Sequence, residues 1–130
     1  MNFETAISRQ GMPVYVFPMP HAASIALGIL VFAGTRDEKW PEEAGLAHAF
    51  EHMLFQGNSR MRNSKEISGE IDSVGGNLNA FTSKEMTFYH RVVPCAAFDI
   101  GVKSLVGQVK SSLFRENIRL AEKHWGWQSR

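Results

Sequence analysis

The sequence predicts an α+β fold, a largely antiparallel sheet packed against helices. Three observations lead there. Residues 4–17 and 78–93 alternate apolar and polar side chains around short polar connections, as hairpins do. An apolar, β-branched run fills residues 25–32. Segments 44–55, 63–74 and 98–113 repeat apolar residues at helical steps of three and four. Strands, two helices, strands and helices in that order separate hairpin-paired strands from the helices that cover them.

The first hairpin joins residues 4–9 to 13–17 through Gln10-Gly11-Met12, and Pro18 and Pro20 break its pattern. Residues 25–32 read as a central strand covered on both faces, ended by Gly34. Residues 35–43 are charged and contain Pro41, so a loop is expected before the apolar helix 44–55, which Gln56-Gly57-Asn58 stops. Asn63 followed by Glu66 resembles a capping box, and Ile67, Ile71 and Val74 share a face before Gly75-Gly76. Ser83-Lys84-Glu85 is the expected turn of the second hairpin. After Pro94, the spacing of Phe98, Val102, Leu105, Val106, Val109 and Leu113 predicts a helix of about 18 residues, and residues 116–123 a shorter one.

With 44% hydrophobic and 21% charged residues, the 130-residue chain suits one domain with a modest core. A formal net charge of +1 without a basic cluster gives no basis for nucleic acid as a partner. The longest apolar run, residues 23–33, falls well short of the roughly 20 residues of a membrane span. No signal peptide opens the chain as it stands, so a cytoplasmic location is expected. The lone Cys95 excludes an internal disulfide and is expected to be a small buried hydrophobe.

The chemistry concentrates in His48-Ala49-Phe50-Glu51-His52. On a helix advancing about 100° per residue, His48, Glu51 and His52 lie at roughly 0°, 300° and 40°, one face. Leu46, Phe50, Met53 and Leu54 fall mostly elsewhere and are expected to bury themselves, fixing the helix. Imidazoles at i and i+4 can both reach one Zn²⁺ at about 2.0–2.1 Å, and the adjacent carboxylate is placed to take a proton from metal-bound water. That equipment hydrolyses amides. In a chain with five His and ten Glu, His-x-x-Glu-His arises by chance on the order of 1% of the time, so the motif carries weight. The competing reading is a surface helix whose His and Glu are merely solvated, against which its apolar neighbours argue. His21, in a Pro-rich connection, and His90, in a strand, read as structural or solvated.

These residues carry a likeness. Gly34-Thr35-Arg36-Asp37-Glu38, the run from Gly45 through the motif to Gly57, Gly75-Gly76-Asn77-Leu78-Asn79-Ala80-Phe81-Thr82 and Tyr89 together resemble the N-terminal part of the M16 metallopeptidases, whose hallmark is the reversed zinc motif. The resemblance implies that His48 and His52 bind zinc and that Glu51 activates the catalytic water. It implies that Asn79, Ala80, Phe81 and Thr82 form an edge strand on which an extended peptide or unfolded protein substrate adds by backbone pairing. An exposed strand-end amide is the plainer reading of Asn79. It also implies a partner in the form of a second M16-like domain or subunit.

The family's third zinc ligand is a Glu about 77 residues after the second motif His, a spacing that here reaches Ser129, while an accessory Glu two helical turns earlier corresponds to Glu122. A neutral hydroxyl is a poor Zn²⁺ ligand beside a carboxylate. The chain therefore reads as an incomplete M16-like domain over 1–123 with a divergent tail over 124–130. Three explanations stay open for that tail: truncation or frameshift, a non-catalytic relative that serves as a binding or structural subunit, or replacement of the ligand by Glu122 or His124.

Overall fold

The computed structural model describes residues 2–113 and confirms a mixed α+β fold built from antiparallel strands and three α-helices. Strands β1 (Glu4–Ile7) and β2 (Pro13–Val16) form a separate two-stranded sheet, with Glu4 opposite Val16 and Ile7 opposite Pro13. Ser8 closes the turn, its amide donating to the Met12 carbonyl at 2.8 Å and its hydroxyl accepting from the Met12 amide at 3.0 Å. Phe3 packs on Tyr15 and Phe17, giving this otherwise exposed hairpin its own small aromatic cluster.

The main sheet contains β3 (Ser24–Val31), β4 (Asn77–Thr82) and β5 (Thr87–Pro94) in the order β3-β5-β4, all antiparallel. The central strand is therefore β5, where β3 was expected. In β3, Ile25, Leu27, Ile29 and Val31 are half-buried, whereas Ser24, Ala26, Gly28 and Leu30 are exposed. An apolar run does not distinguish a strand covered on both faces from one whose outward positions are small or apolar but wet.

Helix α1 (Leu46–Leu54) is a residue or two shorter at each end than the apolar run. Helix α2 (Ser64–Asp72) starts as its sequence predicts, for Asn63 Oδ1 accepts from the Glu66 amide at 3.0 Å. The Glu66 carboxylate reaches back to the Arg62 amide at 2.7 Å, one residue before the usual box partner. Helix α3 (Phe98–Lys110) has 13 residues instead of about 18. Its continuation folds back on the loop after α1: the Ser59 amide donates to the Ser111 carbonyl, the Leu113 amide to the Gly57 carbonyl, and Asn58 bridges Ser112. Those backbone partners lie more than fifty residues upstream, beyond the reach of a periodicity argument.

Two apolar clusters join helices to sheet. Leu54, Tyr89 and Leu105 form one, against Leu27, Ile29, Val31, Phe55, Ala80 and Val109. Ile71, Val93 and Ala97 form the other, against Ile25, Val74, Leu78 and Ile100. Each large side chain withdrawn this fully contributes about 1.5–3 kcal/mol. All of these β5 contacts come from Tyr89 and Val93, on the same side of the strand as Arg91. On the opposite side Leu30, Phe81 and Val92 remain exposed. Cys95, expected to be buried, is exposed in the 3-10 turn Cys95–Ala97. That turn faces Ala97 inward instead.

Candidate metal centre and its supports

The site is assembled from α1, the loop before it and β4. On α1, His48 Nε2 and His52 Nε2 lie 3.0 Å apart with the rings edge to face, and one donor atom from each of His48, Glu51 and His52 falls within 4.8 Å of the others. The imidazoles are exposed and Glu51 is buried. Of the apolar residues expected to anchor the helix, Met53 and Leu54 are buried, but Leu46 and Phe50 stay about half exposed. The buried stripe is narrower than expected, and Leu54 within it packs on Tyr89 of the sheet.

Glu51 is held from the sheet. Along β4, Leu78, Ala80 and Thr82 point toward the helices, and Asn77, Asn79 and Phe81 point away. This parity brings the Thr82 hydroxyl to the Glu51 carboxylate, to which it donates a hydrogen bond. Tyr89, directly opposite Ala80, lies behind it. Burial, reinforced by the Glu51 charge, pushes the Tyr89 phenol from its ordinary 10.0 up to about 12. Asn79 is exposed, and its Oδ1 accepts from the Ala80 amide at 2.8 Å. Phe81 stacks obliquely on Phe88 at 5.7 Å on the far side of the sheet. At the end of the strand order, β4 has no neighbour on its outer side among the described residues.

The loop before α1 contributes more than the sequence signalled. Gly45, at the N-cap, has φ 71° and no side chain with which to cap, a conformation that an L side chain rarely adopts. Glu38 supplies the missing acceptor: Oε2 takes the Gly45 amide at 2.6 Å and Oε1 the Ala47 amide at 2.8 Å. The same loop is pinned to the β4–β5 turn. Thr35 donates to the Ser83 carbonyl at 3.1 Å, Arg36 to the Lys84 carbonyl at 2.8 Å, and the Arg36 guanidinium pairs with Glu85. Gly34 lies so close under that turn that a Cβ would sit 2.4 Å from the Ser83 carbonyl oxygen. Glu38 ends the segment 34–38 that carries part of the likeness, but the likeness assigned it no role. The available hint is a glycine where a helix wants a Ser, Thr, Asp or Asn, preceded by four acidic residues.

The expected residues thus divide. His48, Glu51, His52 and Thr82 come together, Ala80 packs into the core beneath them, and Asn79 and Phe81 occupy the other face of β4. Glu122, His124 and Ser129 lie outside the described residues, as does the short helix expected over 116–123.

The donor set fits a divalent metal. Two nitrogens at about 2.0–2.1 Å from one tetrahedral zinc lie roughly 3.3 Å apart, close to the 3.0 Å separation of the two Nε2 atoms. Neutral imidazole suits zinc, and the carboxylate adds compensating charge.

Comparison with known proteins agrees. The chain is 34% identical over 115 residues to an uncharacterised zinc protease of Rickettsia felis, covering 88% of this chain and 27% of that protein. It is 34% identical over 116 residues to an uncharacterised zinc protease of Bacillus subtilis, covering 89% and 28%. To the β subunit of the mitochondrial-processing peptidase of Lentinula edodes it is 36% identical over 87 residues, covering 67% and 18%. The chain thus spans about a quarter of the length of the bacterial relatives. The family described as Insulinase (Peptidase family M16) matches residues 17–124, and the chain belongs to that peptidase family.

Proposed function

We propose that this chain is the metal-binding part of a zinc-dependent metalloendopeptidase that hydrolyses peptide bonds in extended or unfolded polypeptides. The convergence of His48, Glu51 and His52 within 4.8 Å on one helix carries the reading. Zinc, when bound, supplies a Lewis acid for the scissile carbonyl and lowers the pKa of the attacking water. His48 and His52 hold the ion. Glu51 takes the water's proton and passes it to the leaving amine, and Thr82 keeps the carboxylate aimed while it does so. The outer edge of β4 aligns the substrate by backbone pairing, so main-chain hydrogen bonds supply affinity and side chains only a preference. Completion of the coordination sphere falls to Glu122, to His124 or to a second domain or subunit, because Ser129 offers no anionic ligand.

Zinc stoichiometry and peptide cleavage, measured together, test this. The expected result is about one zinc per chain, lost in His48→Ala but retained in Glu51→Gln, with hydrolysis abolished in both variants. Failure of the wild-type chain to hold zinc would overturn a catalytic role for it and leave the non-catalytic subunit, which uses the same edge for binding alone.

A further inference from the structure

Helix α1 is fixed at two points that belong to different parts of the chain. Near its C-terminal half, Glu51 accepts the Thr82 hydroxyl of β4. At its N-terminus, Glu38 spreads its two carboxylate oxygens over the Gly45 and Ala47 amides, at 2.6 and 2.8 Å. Glu38 itself stands on the loop that Ser83 and Lys84 grip through the backbone. The contacts close a circuit: β4 to its turn, turn to loop, loop to α1, and α1 back to β4. Glu38 joins loop to helix through its side chain at the end that carries His48, which lies in the first turn of α1.

We propose that Glu38 is a positioning residue for the metal helix, setting both the place and the electrostatics of His48. Two effects act together. Both oxygens of Glu38 are engaged by backbone N–H groups, so the carboxylate fixes the helix axis against the sheet and not merely one side chain. Its negative charge also offsets the partial positive charge of the helix N-terminus, which would otherwise oppose a dication held one turn away. The bearing on zinc rests on the function proposed above, whereas the positioning of α1 does not.

The test separates the two. Hydrogen exchange of the metal-free 130-residue chain is compared with that of Glu38→Gln, Glu38→Asp and Glu42→Gln, the last removing a charge from an exposed neighbour in the same loop. Glu38→Gln is expected to speed exchange of the α1 amides about tenfold while α2 and α3 keep wild-type rates. Glu42→Gln should change nothing. Glu38→Asp, which retains charge but draws back by one methylene, should fall between them and decides the matter if Glu38→Gln does not fold. Zinc affinity should drop about tenfold in Glu38→Gln, as for other supports of metal ligands. Unchanged α1 protection, or equal loss of protection in all three helices of both Glu38 variants, would overturn the proposal. Absence of zinc binding in the wild type would refute the metallopeptidase reading alone, with the exchange rates still deciding the role of Glu38.

Discussion

Tyr89 and Arg91 place two ionisable side chains in the interior of one strand, and they are satisfied differently. Arg91 is wholly buried, donating to Ser104 Oγ, to the His90 carbonyl and to Gln108 Oε1, with no carboxylate among its described hydrogen-bond partners. Burial lowers its pKa to about 10 against the opposing pull of Glu70, so it stays charged at neutral pH. Tyr89 behaves as an acid kept neutral. Its folded-state pKa, about 12, exceeds the ordinary 10.0, so the stabilisation from the buried phenol is complete below pH 10.0 and lost as pH rises through about 12. In a Tyr15→Phe chain, where Tyr89 is the remaining tyrosine, tyrosinate absorbance should rise near pH 12 in the folded protein and near pH 10 in denaturant. Coincident titrations would show that the phenol is solvated. At this scale the sequence was uneven. His48, Glu51 and His52 were legible because three residues on one helix meet by local winding alone. The contact of Thr82 with Glu51 was not, since it requires knowing which face of β4 meets α1.

Helix α2 shows an element whose signals are almost all local. Asn63, Ile67, Ile71 and the Gly75-Gly76 stop lie within fourteen residues and stand in their expected places, whereas the Glu66 carboxylate takes the Arg62 amide, one residue outside the expected box. Ile71 is 0% exposed and packs with Val93 and Ala97. Truncation in Ile71→Ala should therefore cost about 2–5 kcal/mol, read as a lower urea midpoint at unchanged slope. A loss well under this range would mean that α2 closes over the cavity. Helix α3 and strand β3 are the contrasting cases. The stripe through α3 continues past Lys110, but the backbone after it pairs with the Gly57–Ser59 loop, and Phe98, Val106 and Leu113 are left exposed. The position of β3 at the sheet's end was set by which strand paired with β5, a choice that hydrophobicity does not encode.

At the scale of the molecule, the helices crowd one face of the three-stranded sheet. Its other face presents Leu30, Phe81 and Val92, with Phe88 stacked on His90 between the two outer strands. Apolar surface of this kind, beside an outer strand without a described neighbour, invites pairing with another chain. Sedimentation velocity of the 130-residue chain should show association that grows with concentration. Leu30→Lys should reduce it; association unchanged in that variant would locate the contact elsewhere. No helix among the described residues is long and apolar enough to cross a membrane, as the apolar run lengths implied.

The circuit through β4, its turn, the Glu38 loop and α1 also sets an order of assembly. One turn of helix places His48 and His52 together, yet a helix of nine residues is marginal in water by itself. Glu51 gains its hydrogen bond only by closing a loop of 31 residues to Thr82, and Arg36 reaches Glu85 across 49. Closing chain segments of this length costs entropy before the contacts repay it, so such contacts form late. The histidine pair therefore depends on the same distant contacts as the base, so local unfolding of this region loosens the two together.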